Sequence, residues 1–124
     1  MVWDGFNKRK FPRVNVNCDI VIHSEVQSAP ISAVTENVGV GGVCVVLDQR
    51  LRRFEPCRVR LELRTKSPKI SCAARVVWVV STKSPKQRKS RFDTGIEFLD
   101  LDQESAARIQ KFLDSIYPEP SSEG

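Results

Sequence analysis

Two short motifs contain the residues of this chain whose types and spacing could bind a ligand. The first is RKFPR at residues 9–13, where three residues separate Arg9 from Arg13. The second is NVGVGG at residues 37–42, an amide side chain followed by a glycine-rich turn. A guanidinium is planar and permanently charged, so it can bind a phosphate with two hydrogen bonds or the O6 and N7 edge of guanine. The two motifs therefore predict a basic loop against a glycine-rich turn, suited to a ligand with phosphates and guanine bases.

The glycine-rich motif offers contacts of a different kind from those of the arginines. Asn37 supplies both an acceptor and donors at the end of a predicted strand. Gly39 and Gly42 permit close approach of a flat ligand, and backbone amides in such a turn can form an anion-binding nest. We expect the turn to bind one part of the ligand while Arg9 and Arg13 bind another.

The spacing of the arginines is by itself a weak signal, because it recurs at Arg60 and Arg64. There it lies on an alternating stretch with Leu61 and Leu63, which predicts that both arginines point to solvent. The prediction of a binding site therefore does not rest on the spacing alone. It rests on the position of the first copy, which precedes the first strand and is paired with the glycine-rich motif.

The elements that would position these motifs follow from the periodicity of apolar residues. Alternation predicts strands over residues 14–22, 31–36, 43–47, 57–64, 70–80 and 91–99. A helical period follows, with Asp102 as N-cap and Pro118 after the last turn. Six strands with hairpin-like connections and one helix predict a mainly β fold, an antiparallel six-stranded barrel that leaves no free sheet edge. We divide the chain into a flexible basic lead-in loop (1–13), the barrel with its helix (14–117) and a disordered tail (118–124).

Composition and charge narrow the possible classes of protein. A chain of 124 residues is expected to form one domain, and its net charge of +5 favours anionic partners. The longest apolar run is too short to span a membrane and no signal peptide is recognisable, so we expect a cytoplasmic protein without membrane insertion. The four cysteines lack paired spacing, which favours reduced, buried thiols over a zinc site or disulfides. His23 has no partner placed for catalysis, so an enzyme is the least supported class.

The paired motifs resemble those of the PilZ domain family, receptors for the bacterial second messenger cyclic di-GMP. The family pattern is RxxxR before the first strand and [D/N]xSxxG some twenty to thirty residues later. Arg9 and Arg13 match its arginines, and Asn37 and Gly42 match the first and last positions of its second motif. The segment TGIEF at residues 94–98 also resembles the last barrel strand of the family. The resemblance covers roughly residues 8–115, with one departure, since Gly39 stands where the family usually has serine.

The resemblance implies a PilZ-like split barrel that binds cyclic di-GMP without enzymatic activity. It implies that the N-terminal loop closes on the barrel when ligand binds and alters contact with a downstream effector protein, in motility, biofilm or exopolysaccharide control. Lys8 could add charge for a second, stacked ligand molecule. No cofactor or metal is expected besides the ligand. The ligand-binding residues carried over by the resemblance, together with the neighbouring lysine, are Arg9, Arg13, Asn37, Gly39, Gly42 and Lys8.

Two other functions remain open from the sequence. A protein-interaction adaptor of the same fold that has lost nucleotide binding is supported by the departure at Gly39. A small-barrel nucleic-acid binder fits the charge and the basic segment of residues 83–91, but few aromatic residues lie on the predicted strands, where bases would stack. We expect Trp78 and Phe98 to pack in or on the barrel. Trp3 and Phe6 lie in the lead-in loop, where they could stack on ligand or pack on the barrel.

Overall fold

The computed structural model describes residues 13–26, 29–65, 68–82 and 90–116. The predicted lead-in loop other than Arg13 and the predicted tail of residues 118–124 lie outside the described residues, as do Tyr117 and the basic segment of residues 83–89. The described elements are seven strands and one helix: β1 (Val14–Asn15), β2 (Asp19–Ser24), β3 (Ile31–Val38), β4 (Gly42–Leu47), β5 (Pro56–Glu62), β6 (Ile70–Thr82), β7 (Arg91–Phe98) and α1 (Gln103–Ile116).

Six of the strands close into a barrel. Every pairing is antiparallel, the strands follow the order β3-β2-β5-β6-β7-β4, and β4 pairs back onto β3. The short strand β1 pairs with the end of β3, through Val14 with Val38 and Asn15 with Asn37. The predicted six-stranded antiparallel barrel with a C-terminal helix is therefore confirmed, with β1 as an additional strand.

The first predicted strand, residues 14–22, is divided in two by the side chain of Thr35. The Thr35 hydroxyl donates to the carbonyl oxygen of Val16 and accepts from the amide of Cys18, both at 2.8 Å. A hydroxyl that bridges two backbone groups takes the place of regular strand pairing at this point. The alternation predicted from the sequence nevertheless persists, because Cys18, Ile20 and Ile22 are all buried.

The barrel interior is filled by the alternating apolar residues of the strands. Strand β5 shows the pattern plainly, with Cys57, Val59 and Leu61 buried and the residues between them exposed. The apolar stripe of α1, formed by Ile109, Phe112 and Leu113, belongs to the same core. Burial of one such aliphatic side chain contributes about 1.5–3 kcal/mol, so the helix is an integral part of the fold.

Helix α1 begins where the sequence predicts. The Asp102 carboxylate accepts a hydrogen bond of 2.6 Å from the backbone amide of Ser105, the geometry of an N-cap. This bond to the charged form holds the pKa of Asp102 below its usual value. At its other side, Arg108 donates to the carbonyl oxygen of Pro68, which ties the helix to the connection before β6.

The four cysteines are free and buried, and burial raises the pKa of each thiol. For Cys44, Cys57 and Cys72 the pKa reaches about 11.

We expect iodoacetamide at pH 8 to leave the native thiols unmodified and to modify all four after unfolding in guanidinium, as read by mass spectrometry. Because the pKa is higher in the folded state, the thiols favour folding fully below the unfolded value near 9.0, and this contribution is lost as pH rises towards 11. Rapid native modification would contradict the burial.

Candidate ligand-binding site

A row of side-chain positions crosses the outer face of the barrel near the glycine-rich motif. Register pairs Trp78 with Gly95, Gly95 with Cys44 and Cys44 with Asn37. Asn37 in turn pairs with Asn15 of β1. Directly paired residues of antiparallel strands place their side chains on the same face. The row therefore brings residues from five strands onto one surface, which we call the outer row.

Asn37 and Arg13 meet at one end of the outer row. The Arg13 guanidinium donates to the Asn37 side-chain oxygen at 3.5 Å, although 24 residues separate them in sequence. Strand β1 causes this proximity, because Arg13 directly precedes it and β1 pairs with the end of β3. A hydrogen bond of this length is weak, so exchanging it for a bond to a ligand phosphate or base costs little.

A β-bulge in β3 displays Asn37 on the surface. The register of β3 against β4 shifts between Thr35 and Asn37, which leaves Glu36 as the extra residue. Thr35 is fully buried while Asn37 is half-exposed. Bulges bend a strand and change the direction of its side chains, and they recur beside functional sites. Here the bulge places the amide of Asn37 beside Arg13.

The glycine-rich turn is bound tightly to the neighbouring strand β7. The amide of Gly39 donates to the carbonyl oxygen of Gly42, and the amide of Phe98 donates to the carbonyl oxygen of Gly41, both at 2.9 Å. A Cβ atom at Gly42 would overlap the carbonyl oxygen of Ile96 and lie 3.1 Å from the Cα atom of Glu97. Glycine is therefore required at position 42 by the close approach of two backbones.

A half-open cavity of about 280 Å³ lies beside this turn. Arg13 and Gly41 line one part of it, and Glu97, Leu101 and Ala106 line others. Glu97 forms an ion pair with Arg75 at 2.9 Å. The cavity thus combines the guanidinium of Arg13 with apolar walls, and its size suits one planar ring system.

Trp78 covers the other end of the outer row. A Cβ atom at Gly95 would overlap its indole ring, so the ring lies directly over the Gly95 backbone. The register of β6 against β7 shifts between Val76 and Trp78, so the barrel has a second bulge at this end of the outer row. Trp78 stays half-exposed and presents a flat aromatic surface. The packing predicted for Trp78 takes place on the outside of the barrel, whereas Phe98 packs inside.

Cys44 lies in the middle of the outer row between Asn37 and Gly95. It is buried but stands apart from the residues of the barrel core. Burial is the main cause that raises its pKa to about 11, and the carboxylates of Glu36 and Asp93 raise it further while Arg13 lowers it. A neutral thiol leaves the middle of the row uncharged at neutral pH, so it would not repel an anionic ligand.

The structure brings together four of the six residues predicted for the site. Arg13, Asn37, Gly39 and Gly42 surround one end of the outer row, while Lys8 and Arg9 lie outside the described residues. Reasoning from the sequence did not include Trp78 or Gly95 in the site. An isolated glycine within a strand pattern indicates close approach of another group, and that signal was present at Gly95.

The second RxxxR copy behaves differently from the first. Arg60 and Arg64 are exposed, as predicted, and lie in or just after β5, a strand that pairs with neither β3 nor β4. Arg64 also donates to the carbonyl oxygen of Asn17 at 2.7 Å, so it supports the segment between β1 and β2. Position relative to the barrel therefore distinguishes the two copies.

The sequence that forms this barrel and its two motifs matches a known protein family. A family model described as the PilZ domain matches residues 7–115, which include both motifs and the whole barrel. The chain therefore belongs to the PilZ domain family. A search of curated sequences found no significant match.

Solved PilZ structures share the fold at low sequence identity. The PilZ domain of YcgR from Escherichia coli, with c-di-GMP, gives a TM-score of 0.69 at 11% identity and covers 87% of this chain and 90% of that one. The inhibitor of motility MotI/DgrA from Bacillus subtilis gives a TM-score of 0.69 at 20% identity, and the match covers 88% of this chain and 51% of that one. The MrkH–c-di-GMP complex of K. pneumonia gives a TM-score of 0.70 at 15% identity, and the match covers 87% of this chain and 51% of that one. This PilZ domain thus spans about half the length of MotI/DgrA and MrkH.

Among the described residues, no group of three or more histidine, cysteine or acidic side chains could hold a metal ion. In the same part of the chain, no helix has the length and apolar character needed to cross a membrane.

Proposed function

We propose that this PilZ domain is a non-enzymatic receptor for cyclic di-GMP. The observation that carries the proposal is the contact of Arg13 with Asn37, one residue from each motif, at the edge of the glycine-rich turn. The structures of YcgR and MrkH with c-di-GMP support it from outside this chain, since they share the barrel. The proposed ligand-binding residues are Arg9, Arg13, Asn37, Gly39, Gly42 and Lys8.

The chemistry of these groups matches the two parts of the ligand. Guanidinium groups of Arg9 and Arg13 bind phosphate oxygens or a guanine edge, and each charge-assisted bond contributes about 1.5–3 kcal/mol. The amide of Asn37 binds another base edge through its acceptor and donors. The indole of Trp78, at the far end of the outer row, offers a face on which a base can stack, a contact worth about 1–3 kcal/mol.

Ligand binding would couple to the lead-in segment through Arg13. This residue directly precedes β1 and lines the cavity beside the glycine-rich turn. A ligand that contacts Arg9 and Arg13 together with Asn37 stabilises the arrangement in which residues 1–13 lie against the barrel. The changed surface would then be recognised by a downstream effector protein, of the kind that acts in motility or biofilm control.

Gly39 favours a second candidate function, an adaptor that binds a protein partner without nucleotide. The position lacks the serine hydroxyl usual in the family, a hydrogen bond worth about 0.5–1.5 kcal/mol. Its loss weakens affinity by about tenfold at most. The amide of Gly39 already donates to Gly42, so this backbone group is engaged within the turn. Nucleotide binding therefore depends on the remaining residues of the site.

Calorimetric titration with cyclic di-GMP at near-physiological salt tests the proposal. We expect saturable binding of micromolar affinity or tighter. Because Trp3 and Trp78 are the two tryptophans of the chain, a Trp3→Phe variant reports on Trp78 alone, and its fluorescence should change as a base covers the indole. Absence of heat and of a fluorescence change would reject the receptor and favour the adaptor. A stoichiometry of one ligand per chain would exclude a second molecule at Lys8.

A further inference from the structure

The connection between β4 and β5 combines exposed arginines with an exposed aromatic residue. Its segment from Arg50 to Glu55, RLRRFE, carries three arginines within four residues, and we call it the arginine loop. It lies at the end of the barrel where β4 finishes and β7 begins, since Leu47 pairs with Phe92. Helix α1 follows the opposite end of β7. The loop and the helix therefore lie at opposite ends of the barrel.

The arginine loop is rigidly held by a buried carboxylate. Glu55 is 5% exposed, and its side chain accepts hydrogen bonds from the hydroxyl of Ser24 and, at 2.8 Å, from the amide of Arg52. The backbone of the loop also pairs with β6, through Phe54 to Val76 at 2.6 Å and Val76 to Glu55 at 3.0 Å. The backbone of such a loop loses little entropy on binding a partner.

Phe54 is displayed to solvent at the cost of backbone strain. Its φ angle is 70°, a positive value found at no other non-glycine residue among those described. A bulky residue in this region is an outlier, and glycine or asparagine would adopt it more easily. The Phe54 side chain is nevertheless 57% exposed, so burial in the core does not compensate for the strain. Strained residues of this kind are held by the surrounding structure and cluster at active sites, ligand clamps and switch regions.

Two arginines of the loop lie over aromatic rings, and the one carboxylate of the loop, Glu55, is buried beneath them and occupied by hydrogen bonds. The guanidinium of Arg53 lies 4.8 Å from the Phe54 ring centroid and that of Arg50 lies 5.9 Å from the Phe92 ring centroid. Within the described ranges, no ion pair joins Arg50, Arg52 or Arg53 to a carboxylate. The charges of the loop are therefore available to an external anion.

An open cavity of about 540 Å³ lies beside these side chains. The three arginines form its charged lining and Val79 supplies apolar surface, whereas Leu51 is buried in the core behind it. The apolar part of this lining accommodates one aliphatic or aromatic side chain, and the arginines beside it can pair with carboxylates. Arginine and exposed aromatic residues together are also the types enriched at the centres of protein interfaces.

We propose that the arginine loop is a docking surface for an acidic segment of a partner protein. Carboxylates of that segment would pair with Arg50, Arg52 and Arg53, and an adjoining apolar side chain would enter the cavity beside Phe54. The surface borders the Trp78 end of the outer row, since Arg53 donates to the carbonyl oxygen of Val77 and Val79 lines the cavity, but the proposal does not depend on binding of cyclic di-GMP. It specifies the chemistry of the partner and the position at which the partner binds.

Selection from a phage-displayed library of random peptides, panned on the immobilised full chain, tests this surface. Enriched peptides would be synthesised with a fluorescent label and titrated by anisotropy against the wild type and two variants. Phe54→Gly removes the aromatic ring and relieves the strain, so it should fold at least as stably as the wild type. Arg52→Gln with Arg53→Gln removes two charges. Arg58→Gln with Arg60→Gln, on the exposed face of β5, is the control with the same change in net charge.

We expect enriched sequences to combine acidic with aromatic or aliphatic residues, and to lose affinity by about tenfold or more in each loop variant. The β5 control should retain most of the affinity. Failure to enrich any sequence, enrichment of peptides without acidic residues, or an equal loss in the β5 control would overturn the proposal. Binding of a single-stranded oligonucleotide with the same dependence on the loop variants would reassign the surface to nucleic acid.

Discussion

Replacing Arg9 and Arg13 together by alanine is expected to abolish the binding of cyclic di-GMP measured by calorimetry. Each arginine contributes about 1.5–3 kcal/mol through charge-assisted bonds, so Arg13→Ala alone should weaken affinity by about ten- to a hundredfold. The double substitution should exceed the range of the titration. Arg13 is the more informative position, because its contact with Asn37 and its place in the cavity are both known.

The chain offers a matched control for this experiment in the exposed arginines of β5. Arg58→Ala with Arg60→Ala removes the same charge from the barrel at a distance from both motifs. We expect this variant to keep its affinity within about threefold, the size of a general electrostatic effect on a screened surface. Thermal unfolding should be measured beside each titration, so that a loss of fold is distinguished from a loss of contacts. Wild-type affinity in the Arg9/Arg13 variant would refute the site.

Substitution of Gly42 by alanine is expected to have the largest effect on stability among single changes at the site. The new Cβ would overlap the backbone oxygen of Ile96, an atom that cannot rotate away. Strands β4 and β7 would have to separate locally, at a cost of about 1–3 kcal/mol as for other overpacked positions. Chemical denaturation of the ligand-free protein measures the loss. The same variant should also bind cyclic di-GMP more weakly, since the glycine-rich turn begins β4.

Gly95→Ala is the natural comparison, because the glycine lies two register positions away on the neighbouring strand. There the obstacle is the indole of Trp78, a side chain that can move. The free energy of unfolding should therefore fall less than in Gly42→Ala, while the fluorescence of Trp78 changes more. Equal stability of Gly42→Ala and the wild type would contradict the close approach of β4 and β7.

Two buried polar side chains, Thr35 and Glu55, position segments of the barrel surface. The Thr35 hydroxyl bridges the backbone of Val16 and Cys18 in the segment that joins β1 to β2. The Glu55 carboxylate holds the arginine loop at the end of the barrel. Both groups are buried and hydrogen-bonded, as the cost of leaving a polar group without partners requires. Each of them determines the position of a neighbouring surface: β1 with Arg13 in the first case, and Phe54 in the second.

The local features of this PilZ domain follow from its amino-acid sequence. Alternation gave the strand faces, as in Cys57, Val59 and Leu61, and Asp102 marked the start of α1. Both patterns depend on side chains within a few residues of one another, so they can be read without knowledge of the fold. The two motifs also predicted, through resemblance to a family, that Arg13, Asn37 and Gly42 belong to one site.

The contacts between distant residues depend on the three-dimensional fold of the barrel. Asn37, Cys44, Gly95 and Trp78 form one row because strand register and two bulges align four different strands. Register depends on the hydrophobic pattern of whole strands and on closure of the barrel, so it cannot be derived from spacing along the chain. The strained display of Phe54 is likewise a tertiary effect, since it results from the hydrogen bonds of Glu55 and Val76 to the loop. Local chemistry therefore selected the residues, and long-range packing decided which of them act together.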